Sequence, residues 1–256
     1  MIEENKENYG LSLSGDTRKI GGMIFAAGLG TRFKPWTDNH PKALAVINGK
    51  SLLQRNVEYL QQYGITDVVV NVHHFAAQIE KAIEASNGWG SNVIISDERD
   101  EVLETGGGLL KAKALLQGST FLTLNVDILT DVDLSDFINY HKAAAAFITL
   151  GVTDRTTSRY LLFNKDNRLC GWRNVATGEE RIAIQGEEYI QKAYSGLALF
   201  EPGVFDANTQ RGKFSLIDVY LSLASSYNII GYDHSQSKVL DVGKPESVAI
   251  AEQLFQ

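Results

Sequence analysis

The chain has 256 residues, and 24 Lys plus Arg against 31 Asp plus Glu leave a formal net charge of −7, which argues against a general nucleic-acid binder. With 44% hydrophobic and 21% charged residues the composition is that of a globular protein able to bury a core, and wholesale disorder is excluded. The longest apolar runs, such as 143–150, fall far short of the ~20 residues that span a bilayer, so no membrane helix is expected. The first twenty residues carry acids near the start and lack the basic-then-apolar plan of a signal peptide. They are expected to form a flexible tail, residues 1–21, on a cytoplasmic protein. Cys170 is the only cysteine, which removes an intrachain disulfide and any multi-cysteine zinc site.

Taken in chain order, Gly22 to Ala26 reads as a buried strand that ends in a tight loop at Gly28 and Gly30. Ser51 caps a predicted helix with Leu52, Leu53, Val57 and Leu60 on one face, and Asp67 to Val72 is a strand, giving a β-α-β unit. The alternation continues with a helix over 76–85, a strand over 93–96, a helix over 109–116 and a strand over 121–125. This pattern predicts a Rossmann-like three-layer α/β/α fold with a mostly parallel central sheet. Beyond Asp133 a helix with Leu134 and Phe137 leads to a strand over 145–152, then to shorter strands over 160–163, 168–172 and 193–200. The stretch 174–188 reads as a polar surface excursion, and helices over 216–225 and 246–254 close the chain. The expected organisation is a single domain, 22–256, with a nucleotide-binding half over 22–132 and a substrate-facing half over 133–256. Ligands are expected at the carboxyl ends of the strands.

The loop after the first strand decides the chemistry. A dinucleotide G-x-G-x-x-G fails because position 33 is Phe33, and Walker A fails at Gly49-Lys50-Ser51 because position 44 is Leu44. What stands is Gly28-x-Gly30-Thr31-Arg32, then Pro35-x-Thr37 and Pro41-Lys42. Glycines let backbone N–H groups approach phosphate oxygens, and Arg32 and Lys42 add two cations, which suits a triphosphate. Asp127 and Asp241 each follow a short apolar strand. Either alone reads as a turn-capping Asp, but beside a triphosphate loop they suit Mg²⁺, which takes one or two carboxylates plus phosphate oxygens and water. Glu101-Val-Leu-Glu-Thr-Gly-Gly-Gly108 precedes the helix expected from Leu109, so Gly106 and Gly107 are expected to aim backbone N–H groups at the nucleotide.

These segments resemble the sugar-1-phosphate nucleotidyltransferases, whose signature G-x-G-T-R-x-x-P-x-T-x-x-x-P-K is matched from Gly28 to Lys42. The resemblance implies that Arg32 and Lys42 bind the triphosphate and that Asp127 and Asp241 serve the metal. Asp241-Val-Gly-Lys-Pro245 matches the family's second aspartate motif, whereas Val126 stands where the family commonly has glycine before the first. The run from Glu101 to Gly108 is similar to the N-acetylmuramate-1-phosphate uridylyltransferase branch, and a related run occurs in mannose-1-phosphate guanylyltransferases. The expected nucleotide-binding set is Ala27, Gly28, Gly30, Thr31, Glu101, Gly106, Gly107 and Asn125, with Ser195, Gly196 and Arg159 on the sugar phosphate. A carboxylate at Glu101 only accepts hydrogen bonds, which favours guanine's N–H donors, while the motif points to uridine; the reading leans to GTP with mannose 1-phosphate or a related sugar, with UTP and N-acetylmuramate 1-phosphate as the alternative.

The implied reaction is nucleoside triphosphate plus sugar 1-phosphate to nucleotide sugar and pyrophosphate, with Mg²⁺ and with neither nucleic acid nor membrane as partner. A glycosyltransferase would use a D-x-D motif, but Asp133 of Asp131-Val-Asp133 is placed as a helix N-cap. A catalytically silent nucleotide-sugar sensor would not need the full set of Arg32, Lys42, Asp127 and Asp241.

Overall fold

The computed structural model describes residues 19–256, so all but the last three residues of the expected tail lie outside the described residues. The first half runs β1 (Gly21–Phe25), β2 (Val46–Ile47), β3 (Lys50–Ser51), α1 (Leu52–Gln62), β4 (Asp67–Val72), α2 (Ala76–Ala85), β5 (Asn92–Asp97), α3 (Glu104–Lys111), α4 (Lys113–Leu116), β6 (Phe121–Asn125) and β7 (Ile128–Thr130). The second half runs α5 (Leu134–Ala143), β8 (Ile148–Thr153), β9 (Arg159–Phe163), β10 (Leu169–Asn174), β11 (Glu179–Ile182), β12 (Ile190–Phe200), α6 (Val204–Ala207), α7 (Leu216–Leu223), β13 (Ile229–Asp233), β14 (Val239–Asp241) and α8 (Glu246–Leu254).

The architecture is a three-layer α/β fold on a mostly parallel central sheet. Strands β6, β1, β4 and β5 lie side by side and parallel, and β12 joins β6 antiparallel to carry the sheet into the second half. Alternation along these strands makes the layers. Ile24, Val68, Val70, Leu122 and Leu124 pack one core with α1, α2, α5 and α8. Met23, Phe25, Val69 and Phe121 pack the other with α3 and α7. Local capping agrees with the sequence at two helices, where Ser51 Oγ accepts from the Gln54 N–H at 3.1 Å and Asp133 caps α5; Ser215 with Asp218 adds a capping box on α7.

Three expectations are corrected and one strand is added. The helix expected from Leu109 starts at Glu104, so Gly106 and Gly107 lie inside it and not ahead of it. They serve close packing: a Cβ on Gly106 would fall 2.4 Å from the Phe214 ring, and one on Gly107 would fall 2.4 Å from the Gly212 carbonyl oxygen. The strand expected from Ala145 starts at Ile148, because Ala145 is held at a φ of 45°. The polar stretch 174–188 contains β11, which pairs antiparallel with β10. Strand β13 was not expected at all; it adds to β8 in parallel.

Because the contact at Gly107 is with backbone, Gly107→Ala is expected to destabilise the fold by about 1–3 kcal/mol in chemical denaturation. Unchanged stability would show that α3 can move away from the 212–214 segment.

Candidate active site

Parallel strands deliver their carboxyl ends to one place: Phe25 at the end of β1, Asn71 near the end of β4, and Asn125 at the end of β6. Beyond Asn125 the chain turns into β7, which pairs antiparallel with β14, setting Asp241 opposite Ile128. The Val242 N–H donates to the Asp127 carbonyl at 2.8 Å, so the two aspartates, far apart in sequence, stand side by side. Behind them the buried Asn56 Nδ2 donates to the Val126 carbonyl at 2.8 Å and fixes the turn.

The cleft over this ribbon is lined by the Gly28–Arg32 loop, Lys42, Thr105, Asn125, Asp127 and Gly243. Gly30 has a φ of 60°, and a Cβ there would fall 2.8 Å from the Thr37 side chain, so the turn requires glycine. Among the described residues none accepts from the N–H groups of Gly28, Leu29 or Gly30. That leaves a run of donors for phosphate oxygens. Lys42, 9% exposed, sets its Nζ 2.5 Å from Asp127 Oδ2. Arg32 lies against Gly243, where a Cβ would fall 3.1 Å from the guanidinium.

Asp241 carries the electrostatic cost of the arrangement. Burial and then the like charge of Asp127 push its carboxyl above the usual aspartate range, against the pull of Lys42, Arg32 and Arg155. Its buried Oδ1 finds no hydrogen-bond partner among the described residues. A carboxylate pair with one buried oxygen unpartnered fits a divalent cation, which would supply the missing contact.

A second pocket of about 260 Å³ adjoins the cleft, lined by Phe25, Ala27, Gly28, Asn71, Glu98, Val102, Glu104 and Thr105. Glu104 in its wall is held at a φ of 59°, a left-handed conformation that costs a non-glycine residue about 1 kcal/mol or more. On the other side, Gly196 has a φ of 85°, and a Cβ there would fall 3.0 Å from Asn125 Nδ2, so β12 passes directly beside the end of β6.

The structure brings together Ala27, Gly28, Gly30, Thr31, Arg32, Lys42, Asn125, Asp127, Asp241 and Gly196. Others it does not. The N–H groups of Gly106 and Gly107 both donate to the Phe214 carbonyl and are not free for a nucleotide; Thr105 lines both pockets in their stead. Glu101 is exposed outside both linings, because its N–H folds back to the Glu98 carbonyl and the acid turned inward is Glu98. Ser195 is buried, its hydroxyl 2.9 Å from His234 Nε2. Arg159 is exposed at the start of β9 and lines neither pocket. Arg155, whose guanidinium donates to the Tyr194 carbonyl at 3.0 Å and acts on Asp241, is the nearer cation.

Sequence reasoning missed Asn71, Glu98 and Thr105. An asparagine within the apolar run Asp67–Val72 was the one available signal.

The raised Asp241 carboxyl fixes the sign of a stability test. Its neutral form favours the folded chain, so this contribution is full below the ordinary aspartate range and is lost as pH rises through the raised value. In metal-free buffer near neutral pH, Asp241→Asn is therefore expected to raise the melting temperature, and with Mg²⁺ restored the variant is expected to show no turnover. A lower melting temperature would contradict the assignment.

The family model for nucleotidyl transferases matches residues 21–255. The chain is 30% identical over 239 residues to N-acetylmuramate alpha-1-phosphate uridylyltransferase of Caulobacter vibrioides, covering 90% of this chain and 94% of that protein. It is 31% identical to the protein of the same name in Neisseria meningitidis serogroup B, with 86% and 92% covered. Mannose-1-phosphate guanyltransferase beta-A of Xenopus laevis is 27% identical, with 88% of this chain and 61% of that protein covered. Among solved structures, HddC from Yersinia pseudotuberculosis complexed with GMP-PN superimposes with a TM-score of 0.73 at 22% identity, covering 93% of this chain and 100% of that one. Matched over nearly its whole length, the chain belongs to the nucleotidyl transferase family as a sugar-1-phosphate nucleotidyltransferase.

Proposed function

We propose that this enzyme transfers a nucleotidyl group from GTP to mannose 1-phosphate or a related sugar 1-phosphate in the cytoplasm. One domain, 22–256, would hold the nucleotide in its first half and the sugar phosphate in its second. An oxygen of the sugar phosphate attacks the α-phosphorus, a new P–O bond forms, the bond from the α-phosphorus to the bridging oxygen breaks, and pyrophosphate leaves with the electron pair. No protein nucleophile is needed, so the chain acts by positioning and by electrostatics.

The observation that carries this reading is the convergence of three cations, Arg32, Lys42 and Arg155, on the two aspartates at the strand ends. The free N–H groups of Gly28 to Gly30 and the Arg32 guanidinium hold the departing pyrophosphate. Lys42 neutralises charge at the α-phosphate, and Arg155 anchors the incoming sugar phosphate from the side of β12. Asp127 and Asp241 would hold Mg²⁺, which supplies charge neutralisation on the phosphates. Gly196, packed against Asn125 and Ile128, would bring the β12 backbone to the sugar side of the cleft.

Guanine is supported by the acceptor chemistry of the second pocket, where the Glu104 carboxylate stands in the wall and guanine's edge offers N1–H and N2–H₂. A second reading, UTP with N-acetylmuramate 1-phosphate, is favoured by the run from Glu101 to Gly108 and by the two uridylyltransferase relatives.

Pyrophosphate release with Mg²⁺, each nucleoside triphosphate and a panel of sugar 1-phosphates tests both. The expected result is release with GTP and a mannose-like phosphate; release with UTP and N-acetylmuramate 1-phosphate alone would select the second reading, and release with no pair would overturn both. Asp127→Ala is expected to lower turnover about a thousandfold or more with the fold retained, and near-native activity would refute the metal assignment.

A further inference from the structure

Between the two pockets the chain buries a polar pair that the reaction does not use. Asn71, 2% exposed, sits where the ladder between β1 and β4 ends, and its Oδ1 accepts the N–H groups of Ala26 at 2.7 Å and Ala27 at 3.3 Å. Its Nδ2 donates to Glu98 Oε1 at 2.8 Å. Glu98 has no exposed surface, and its own backbone ties down the segment that follows: its carbonyl accepts from the Glu101 N–H and faces His73 Nδ1 at 2.7 Å. Helix α3 makes room for the pair, because a Cβ on Gly108 would fall 2.6 Å from Glu98 Oε1 and 2.9 Å from Asn71 Nδ2.

We propose that Asn71 and Glu98 are positioning residues that lock the phosphate loop, from Ala26 onward, to the nucleoside-side segment 98–105, so that a nucleoside triphosphate meets one preset cradle. This rests on the proposed binding of a nucleoside triphosphate in the two adjoining pockets.

The cost of the pair argues for that role. An apolar pair would fill the same space without desolvating a carboxylate. Burial pushes the Glu98 carboxyl up, and its Oε2 has no partner among the described residues. What the pair contributes is direction: Asn71 can aim its carbonyl oxygen at the loop only while something accepts from its amide nitrogen, and Glu98 is that acceptor. The two N–H groups it holds lie directly ahead of the free donors of Gly28 to Gly30, so a rotated Asn71 amide would misplace the phosphate donors as well.

Polarity reversal tests this. Asn71→Asp keeps an acceptor for Ala26 but sets two carboxylates face to face; adding Glu98→Gln restores a donor and an acceptor with their roles exchanged. Affinity for GTP and UTP with Mg²⁺ is read by calorimetry without sugar phosphate, with melting curves alongside. The single variant is expected to bind about tenfold or more weakly and the double variant within about threefold of the native chain, with KM for the sugar phosphate little changed. Native affinity in Asn71→Asp, or no recovery in a folded double variant, overturns the proposal. If Asn71→Asp does not fold, Glu98→Gln, which still accepts, is compared with Glu98→Met, which cannot. Weakening in the methionine variant alone supports the pair, and equal affinity refutes it. Native protein that binds no nucleoside triphosphate would overturn the proposed reaction itself, and this inference with it.

Discussion

Two carboxylates held together in a partly dry cleft repel each other, and the arrangement of this molecule follows from that constraint. The ribbon of β7 and β14 is short, but it sets Asp241 opposite Ile128 and ties the Asp127 carbonyl to Val242, so the chain cannot relieve the repulsion by moving one acid away. Relief comes from three cations reaching in from separate segments: Arg32 from the glycine loop, Lys42 from the turn after it, and Arg155 from the loop beyond β8. Each segment is anchored elsewhere, Arg155 through the Tyr194 carbonyl and Lys42 through the buried turn beside Phe33. The charge balance of the site is thus distributed over both halves of the chain.

The sheet explains why these segments meet. Parallel strands end on the same edge, and β1, β4 and β6 bring Phe25, Asn71 and Asn125 to one level. Strand β12 runs the opposite way through the middle of the sheet and carries Gly196 past that level, which is how the second half gains access to the site. Helices contribute mainly by packing closely. The glycines of α3 give up side chains so that the helix can approach the 212–214 segment on one face and the Asn71–Glu98 pair on another.

Much of this was legible in the sequence, and the limits have physical causes. The strands Asp67–Val72 and Phe121–Asn125 and the helices Ala76–Ala85 and Glu246–Leu254 have the bounds read from periodicity and capping. The convergence of the glycine loop with Asp127 and Asp241 was also readable, since motif spacing records a local backbone requirement. Helix α3 was misread because three consecutive glycines look like a loop; its tertiary contacts override that local signal. Strand β13 was missed because its pairing with β8 joins residues remote in sequence. Glu101 and Glu98 show the same limit at the site, for two acids three residues apart carry no local mark of which one turns inward. Arg159 and Arg155 repeat it four residues apart around the start of β9.

The contact between Lys42 and Asp127 has a thermodynamic consequence. In the chain alone the lysine is the counter-ion of an acid that a metal would use, so it competes with a cation for that oxygen. On the proposed reading, a phosphate arriving in the cleft would give Lys42 a new anionic partner and release Asp127. Nucleotide and cation would then be linked ligands: each would lower the cost of admitting the other, and by reciprocity each would tighten the other by the same factor. Loading of the site would be an exchange of ions in which the protein lends its own charge until the substrates replace it.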